Sequence, residues 1–401
     1  MSSPTRKALI IGCGIAGPAV ALFLKRAGIG AEVYEARSAS AEDTGFFLNI
    51  APNGMNVLKT LGVAHRLEQG GFPATGIAFF NRKGKQIGAL DNRLDGERYG
   101  AQGLVVKRAE LHQALRDEVK RQDIPMLFEK KLLRLDTPER GVVARFEDGS
   151  SAQGDLLICC DGIHSHTRQL IFSHSPRPSY LGMVDCGGFT YLPELRGLSG
   201  PQIMTFGKKA FFGYVVKPDG EVYWFSNVPW PKEPERDELG SLSNDAWKAR
   251  LLELYADDPH PISQIIRSTS SSELGKWPLR DLPSLPVWHN GPVCVVGDAA
   301  HATSPAAGQG ASMALEDAAV LGKCLRDIAD LEEAFATFQN LRKARVEAVI
   351  QQARRNGSRK VPHPVMGWIR DLALPLFLKM GVREAARTYT YEVAWDEKVR
   401  A

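Results

Sequence analysis

Residues 8–17 read Ala8-Leu9-Ile10-Ile11-Gly12-Cys13-Gly14-Ile15-Ala16-Gly17. The opening aliphatic run has the texture of a strand buried on both faces. The glycines fit the spacing GxGxxG, and Ile15, Ala19, Phe23 and Ala27 then recur at helical spacing, predicting a helix to about Arg26. Strand, glycine turn and helix in that order make a cradle for a pyrophosphate. The glycines let the backbone turn and approach closely, and the helix start offers unpaired N–H groups and partial positive charge. Gly28-Ile29-Gly30 ends the helix, and Glu32-Val33-Tyr34-Glu35 reads as a second strand, completing a β-α-β unit. Glu35 stands 18 residues beyond Gly17, where a carboxylate suits the two hydroxyls of an adenosine ribose, and Ala36 and Arg37 follow it. Cys13 reads as a small filler. Taken alone, the loop does not separate FAD from NAD.

Outward from this unit, the periodicity predicts helices at 53–61 and 107–121, a hairpin and buried strand over 141–160, and a return to strand, loop and helix at 292–326. Between about Pro176 and Pro278 the texture changes to aromatic strand-like runs at 186–192, 210–216 and 221–228, which predict an antiparallel sheet. A charged helix at 331–360 and an apolar one at 365–380 close the chain. The 401 residues carry 50 Lys plus Arg and 46 Asp plus Glu. That balance gives no electrostatic footprint for nucleic acid, and no apolar stretch approaches the roughly 18 residues of a spanning helix. No removable leader is expected before the glycine loop, and six cysteines without a CxxC or disulfide-like framework fit a reducing, cytoplasmic setting.

Two more motifs follow strands. The run at 156–160 leads into Asp161-Gly162-Ile163-His164-Ser165-His166-Thr167-Arg168. The run at 292–296 leads into Gly297-Asp298-Ala299-Ala300-His301, then Pro305, Gly308, Gln309, Gly310 and Ala311. With the glycine loop, in this order and spacing, they resemble the single-component FAD-dependent aromatic hydroxylases of the p-hydroxybenzoate hydroxylase-like superfamily. DGIHSHTR is similar to its DGxxSxxR motif, and GDAAHATSPAAGQGASMALEDA to its GD motif and following helix. Residues 44–63, with Gly45, and the helix start at Lys107-Arg108 resemble further family stretches, so the likeness spans roughly residues 6–325. Many relatives carry a basic residue just before Gly45. Asp43-Thr44 stand there here, so control of flavin movement by an arginine is not carried over.

The resemblance implies an α/β fold: a Rossmann-type FAD-binding domain of the GR2 type with an inserted antiparallel-sheet substrate domain and C-terminal helices. The FAD domain is expected from 1–72, 100–175 and 279–330, the substrate domain from 73–99 and 176–278, and a helical segment from 331–401. The implied FAD-binding set is Gly12, Gly14, Ile15, Ala16, Gly17, Glu35, Ala36, Arg37, Gly45, Arg108, Asp161, Gly162, Arg168, Gly297, Asp298, Pro305, Gly308, Gly310 and Ala311. Bare N–H groups where Gly308 and Gly310 open a helix suit the negative edge of reduced flavin. Alternatives stay open for several members. Arg108 meets FAD or forms a surface salt bridge. Asp161 and Arg168 bind FAD and nicotinamide nucleotide, or pair locally to fix their loop. His301 reads as packed under the flavin, and Glu316 and Asp317 as packing or capping residues. Cys159, Cys160, His164 and His166 invite a zinc reading, but neighbours on a strand point to opposite faces, so no metal is expected.

The activity implied is FAD-dependent monooxygenation with NADPH or NADH as a transient co-substrate. O2 becomes a flavin C4a-hydroperoxide that hydroxylates or epoxidises an apolar aromatic or polyketide-like small molecule. No second GxGxxG, CxxxxC or GGR triplet points to a different flavoprotein class. A reductase or dehydrogenase on the same fold, and a non-catalytic FAD-binding protein, are the alternatives. Phe212, Tyr214, Tyr223, Phe225 and Asn227 are candidate substrate contacts on the second sheet, with Phe46, Phe47 and Leu48 on the flavin side, although sheet aromatics more often form core than a ligand wall. No protein residue stands out as catalytic, Tyr214 and His289 included. The segment at 365–380 either packs across the domain junction or lies on a membrane. A monomer or homodimer is expected.

Overall fold

The computed structural model describes residues 6–40, 46–235, 237–358, 360 and 366–399. The chain opens with β1 (Lys7–Ile11), α1 (Ala16–Arg26) and β2 (Gly30–Tyr34), and passes through β3 (Phe47–Ile50), α2 (Arg108–Arg121) and β4 (Leu156–Cys159). Four strands follow: β5 (Ser179–Tyr191), β6 (Pro201–Phe206), β7 (Phe211–Val216) and β8 (Glu221–Pro229). The short β9 (Val293–Val295) leads to α3 (Gly310–Asp327), α4 (Leu331–Ser358) and α5 (Met366–Tyr389).

The first sheet has the order His289–Asn290, β9, β4, β1, β2, Met126–Leu127. β1 runs parallel to β2 and β4, and β4 parallel to β9. The aliphatic runs of β1, β4 and β9 are buried, as continuous apolar strands are when helices cover a parallel sheet; α1 packs on α3 and α2. Cys160 N–H donates to the Ile11 carbonyl (2.7 Å) and Val296 N–H to that of Cys159 (3.0 Å). Gly12, Asp161 and Gly297, far apart in sequence, therefore leave adjacent carboxyl ends of one sheet, which is where open α/β sheets bind ligands.

The second sheet has seven strands in the order Gly275–Asp281, β5, β8, β7, β6, Gly76–Asn81, Gln86–Asp91. It departs from the expected antiparallel pattern at one place: β6 runs parallel to Gly76–Asn81. The two are separated by the whole of α2 and β4, so no hairpin constrains their direction. One face carries Phe212, Tyr214, Val222 and Trp224 and is sealed by Trp247, Leu251, Ile265 and Ile266 of helices Asn244–Leu254 and Ile262–Ser268. The opposite face turns towards β3 and the C-terminal helices.

α4 stops at Ser358, and α5 runs through Pro375. Leu374 and Leu378 of α5 pack with Phe206 and Phe211 of the second sheet, whereas Leu372 and Leu376 stand 71% and 65% exposed. The side chain of Ile369 lies outside the described set. Among the described residues no helix is long and apolar enough to cross a membrane.

Candidate active site

The glycines of the first loop are required for different reasons. A Cβ on Gly17 would fall 1.9 Å from the Gly12 carbonyl oxygen, and one on Gly12, whose φ is +103°, 2.4 Å from that of Cys160. Those two positions serve packing of the loop onto α1 and β4. A Cβ on Gly14 would meet no atom within 4 Å, so its bare backbone borders open space. Ile15 precedes α1 without a side-chain cap, and α1 has no acid in its first turn. The uncapped N–H groups are suited to an anion. Ala16 is buried at the opening of that helix. Glu35 is buried at the end of β2 and accepts from the N–H groups of Cys13 (2.8 Å) and Arg37 (3.0 Å). Ala36 and Arg37 are exposed beside it.

A second wall comes from β9. Gly297 has a φ of +61°, and a Cβ there would sit 3.3 Å from Ala16 and 3.4 Å from Ala314, so it lets α1 and α3 close on each other. Asp298 is accessible to solvent, yet protein mass surrounds it. Desolvation raises its carboxyl above the ordinary range, and Asp317 adds to that, while His301 and Arg108 pull it down. Asp298 thus stands open to solvent just after β9, with Arg108 of α2 within electrostatic reach. Pro305 is exposed and opens a tight turn, Pro305–Ala307. Gly308 follows at φ +62° with open space where a Cβ would be, and α3 begins at Gly310-Ala311 with no side-chain cap and no acid in its first turn.

The third loop behaves differently. Asp161 accepts from Thr167 N–H (3.0 Å) and Oγ1 (2.9 Å), and Ser165 Oγ accepts from Arg168 N–H (2.9 Å), so these side chains wind the start of helix His166–Ile171. Arg168 is buried and donates to the carbonyls of Ala299 (2.7 Å) and Ile163 (2.9 Å). The two residues do not pair with each other. Each braces the loop separately, and Arg168 ties it to the backbone beside Asp298. Gly162, at φ +83°, has open space at its Cβ position. Gly45, with Asp43 and Thr44, lies outside the described residues. Among the described residues no three His, Cys, Asp or Glu side chains gather as a metal site.

The substrate candidates divide by strand alternation. Tyr223, Phe225 and Asn227 of β8 face β3: Phe47 lies 5.6 Å from Tyr223 and 6.1 Å from Phe225, ring centre to ring centre. Phe46 meets Trp277 edge-on at 4.4 Å, and Asn49 of β3 exchanges hydrogen bonds with Gln202 of β6. Phe212 and Tyr214 belong to the other face, buried beneath helix Asn244–Leu254; Phe212 stacks on Trp224 at 5.2 Å. Leu48 alternates away from Phe47 and packs on the first core. Period-2 spacing identified the shared faces but carried no sign for which of them looks towards β3.

The bare glycines, the uncapped helix starts and the buried carboxylate at the end of β2 fit a dinucleotide. The FAD binding domain family matches residues 5–353. The chain belongs to this family of FAD-dependent hydroxylases. A FAD-dependent urate hydroxylase of Klebsiella pneumoniae is 31% identical over 351 residues, 87% of this chain and 89% of its own. The 3-amino-4-hydroxybenzoate 2-monooxygenase of Streptomyces platensis is 30% identical over 409 residues, 96% of each chain. The crystal structure of Klebsiella pneumoniae HpxO with FAD and uric acid matches with a TM-score of 0.85 at 27% identity, covering 96% of each chain.

In this FAD-dependent hydroxylase, several residues near the three loops had no sequence signal of their own. Arg116, two helical steps of four beyond Arg108, reaches the Cys13 carbonyl of the glycine loop (3.3 Å). Only a helical stripe counted from Arg108 would have singled it out. Beneath the second wall, Arg342 of α4 is fully buried and pairs with Glu316 (2.6 Å) and Asp317 (2.7 Å) of α3. Arg345 also binds Glu316 (2.8 Å), His301 binds Asp317, and Asn53 donates to Glu316 (2.6 Å). His301 packs against Trp288 at 5.1 Å. Glu316 and Asp317 therefore do more than cap a helix: they anchor α4 to the loop that carries Asp298. Burial raises the Asp317 carboxyl, but His301 and Arg342 overcome this and hold it at about 2.

Proposed function

We propose that the protein is an NAD(P)H-dependent monooxygenase that hydroxylates or epoxidises an apolar aromatic or polyketide-like molecule. The observation that carries this reading is the meeting of three loops at adjacent carboxyl ends of the first sheet, with bare glycines and the uncapped starts of α1 and α3 beside them. When bound, FAD takes electrons from NAD(P)H and uses O2 to place one oxygen atom on the substrate. In this reading Gly14 admits the pyrophosphate to the start of α1, in a loop whose shape Gly12 and Gly17 permit, and Glu35 takes the adenosine ribose. Asp298, with Arg108 near it, holds the ribityl chain. Gly308, Gly310 and Ala311 present backbone N–H groups and the positive end of α3 where the flavin gathers negative charge. Phe46, Phe47, Tyr223 and Phe225 shield the reacting face from water, which favours oxygen transfer over loss of hydrogen peroxide.

The test uses FAD-loaded protein, NADH or NADPH, ¹⁸O₂ and a panel of ring substrates with mass detection. The expected result is substrate-stimulated NAD(P)H oxidation with one ¹⁸O atom in the product. Substrate turnover that leaves no ¹⁸O in any product would replace this reading with a flavin-dependent reductase.

A further inference from the structure

On the sheet face that looks towards β3, a charged pair is set among aromatic rings. Asp185 of β5 and Asn227 of β8 are register partners on neighbouring strands. Asn227 is 1% exposed, and its Nδ2 donates to Asp185 Oδ1 at 2.8 Å. Its Oδ1 accepts from Lys360 Nζ at 2.7 Å. The amide can satisfy an anion and a cation only in this orientation, so it is locked from both ends. The ammonium also lies 4.5 Å from the Phe211 ring centre and 5.2 Å from that of Phe225.

Lys360 is carried there from the other wall. Asn356, near the end of α4, donates to the Ala306 carbonyl (3.2 Å) in the turn before Gly308, and Lys360 N–H bonds back to Gly357 (3.0 Å). The segment therefore bridges the flavin-side turn and the aromatic sheet face, with the ammonium between them. A purely structural pair would close directly. Here the two charges do not touch, because the amide stands between them, and among the described residues Lys360 spends one of its three donors on Asn227. An ammonium in an aromatic room is costly unless a partner takes its remaining donors. Burial lowers the lysine, while Asp185 counteracts this.

We propose that Lys360 is the receptor for an anionic oxygen on the substrate ring, a phenolate, enolate or carboxylate, and that Asn227 and Asp185 position it. The inference rests on the hydroxylase reading and narrows its substrate to acidic planar rings. The aromatic floor takes the ring by stacking, and the ammonium supplies a charge-assisted hydrogen bond at its edge.

The test titrates the FAD-loaded protein with salicylate, 6-hydroxynicotinate and urate, and with salicylamide as a neutral counterpart of the first, reading perturbation of flavin absorbance. At least one ring anion is expected to bind, salicylate about tenfold more tightly than its amide if it is that anion. Lys360→Met should weaken anion binding about tenfold or more and leave salicylamide unaffected. Lys360→Arg should restore most of the loss. Asn227→Ala should lower the preference for anions in protein with unchanged FAD content, a change that a structural role alone would not produce. Anion binding undiminished in Lys360→Met, or no ring anion perturbing the wild-type flavin, overturns the proposal. Lys360-dependent binding of an anion that is turned over with no ¹⁸O in its product would instead sink the monooxygenase reading and leave the anion receptor standing.

Discussion

Gly14 and Gly17 are three residues apart in one motif, yet their surroundings assign them different penalties. At Gly17 a methyl group would strike the backbone of Gly12, so Gly17→Ala must distort the loop and loosen α1 from β1. At Gly14 a methyl group meets no protein atom. Gly14→Ala should therefore melt normally when stripped of FAD but bind the cofactor about tenfold more weakly. Gly17→Ala should lower the melting temperature of the stripped protein as well. Equal melting of the two variants would contradict the division of labour. The same scale shows where sequence reasoning reaches its end. The glycines and Glu35 were legible because local backbone chemistry demands them. Lys360 was not: it sits in a run of basic and polar residues whose composition says nothing about which side chain turns inward, and its partners lie on strands more than a hundred residues earlier.

At the scale of elements, α4 is the instructive case. Its sequence reads as a charged helix, and most of those charges are on its surface, but Arg342 is enclosed with Glu316 and Asp317. Helical periodicity locates a buried stripe only when that stripe is apolar, so the buried arginine was invisible until α3 was placed against it. Its removal has a stated cost. Arg342→Met leaves two carboxylates without a principal partner in the interior, and should lower unfolding stability by about 3 kcal/mol or more. Arg345→Met removes a partner of Glu316 that keeps some contact with solvent, and should cost less. Urea unfolding of the two variants checks the order; a larger loss for Arg345→Met would show that the anchor is misassigned. α2 makes a complementary point. Its amphipathic pattern was plain, and counting four residues at a time from Arg108 leads to Arg116 at the glycine loop.

For the whole molecule, the enclosed charges connect folding to pH. The Asp317 carboxyl is held at about 2 in the folded chain, below the 3.8 of a free aspartate. A group depressed in this way contributes stability that is fully present above about pH 4 and is lost as pH falls towards 2. The contribution is roughly 2 kcal/mol. Unfolding measured at pH 5 and pH 3 should show the stability gap between wild type and Asp317→Asn narrowing at the lower pH. A constant gap would mean that Asp317 does not titrate with folding. The overall architecture was readable because three strand–loop motifs each announced a carboxyl end of one sheet. The second sheet was readable as strands, but not in its parallel β6 contact or in which face meets β3, since both are set by chain segments distant in sequence.

The order of strands in the first sheet also governs how the protein comes into being on the ribosome. The loop after β4, next to that of Gly12, is translated well after it, and the loop after β9, one strand further out, later still. The seven-stranded sheet lies wholly within residues 76–281, so its last strand is translated before β9 exists. Domains generally fold as units as they emerge. The aromatic floor can therefore assemble before β9 and α3 exist, whereas the first sheet cannot be completed until they do. A chain halted between the two would hold the second sheet without a finished partner.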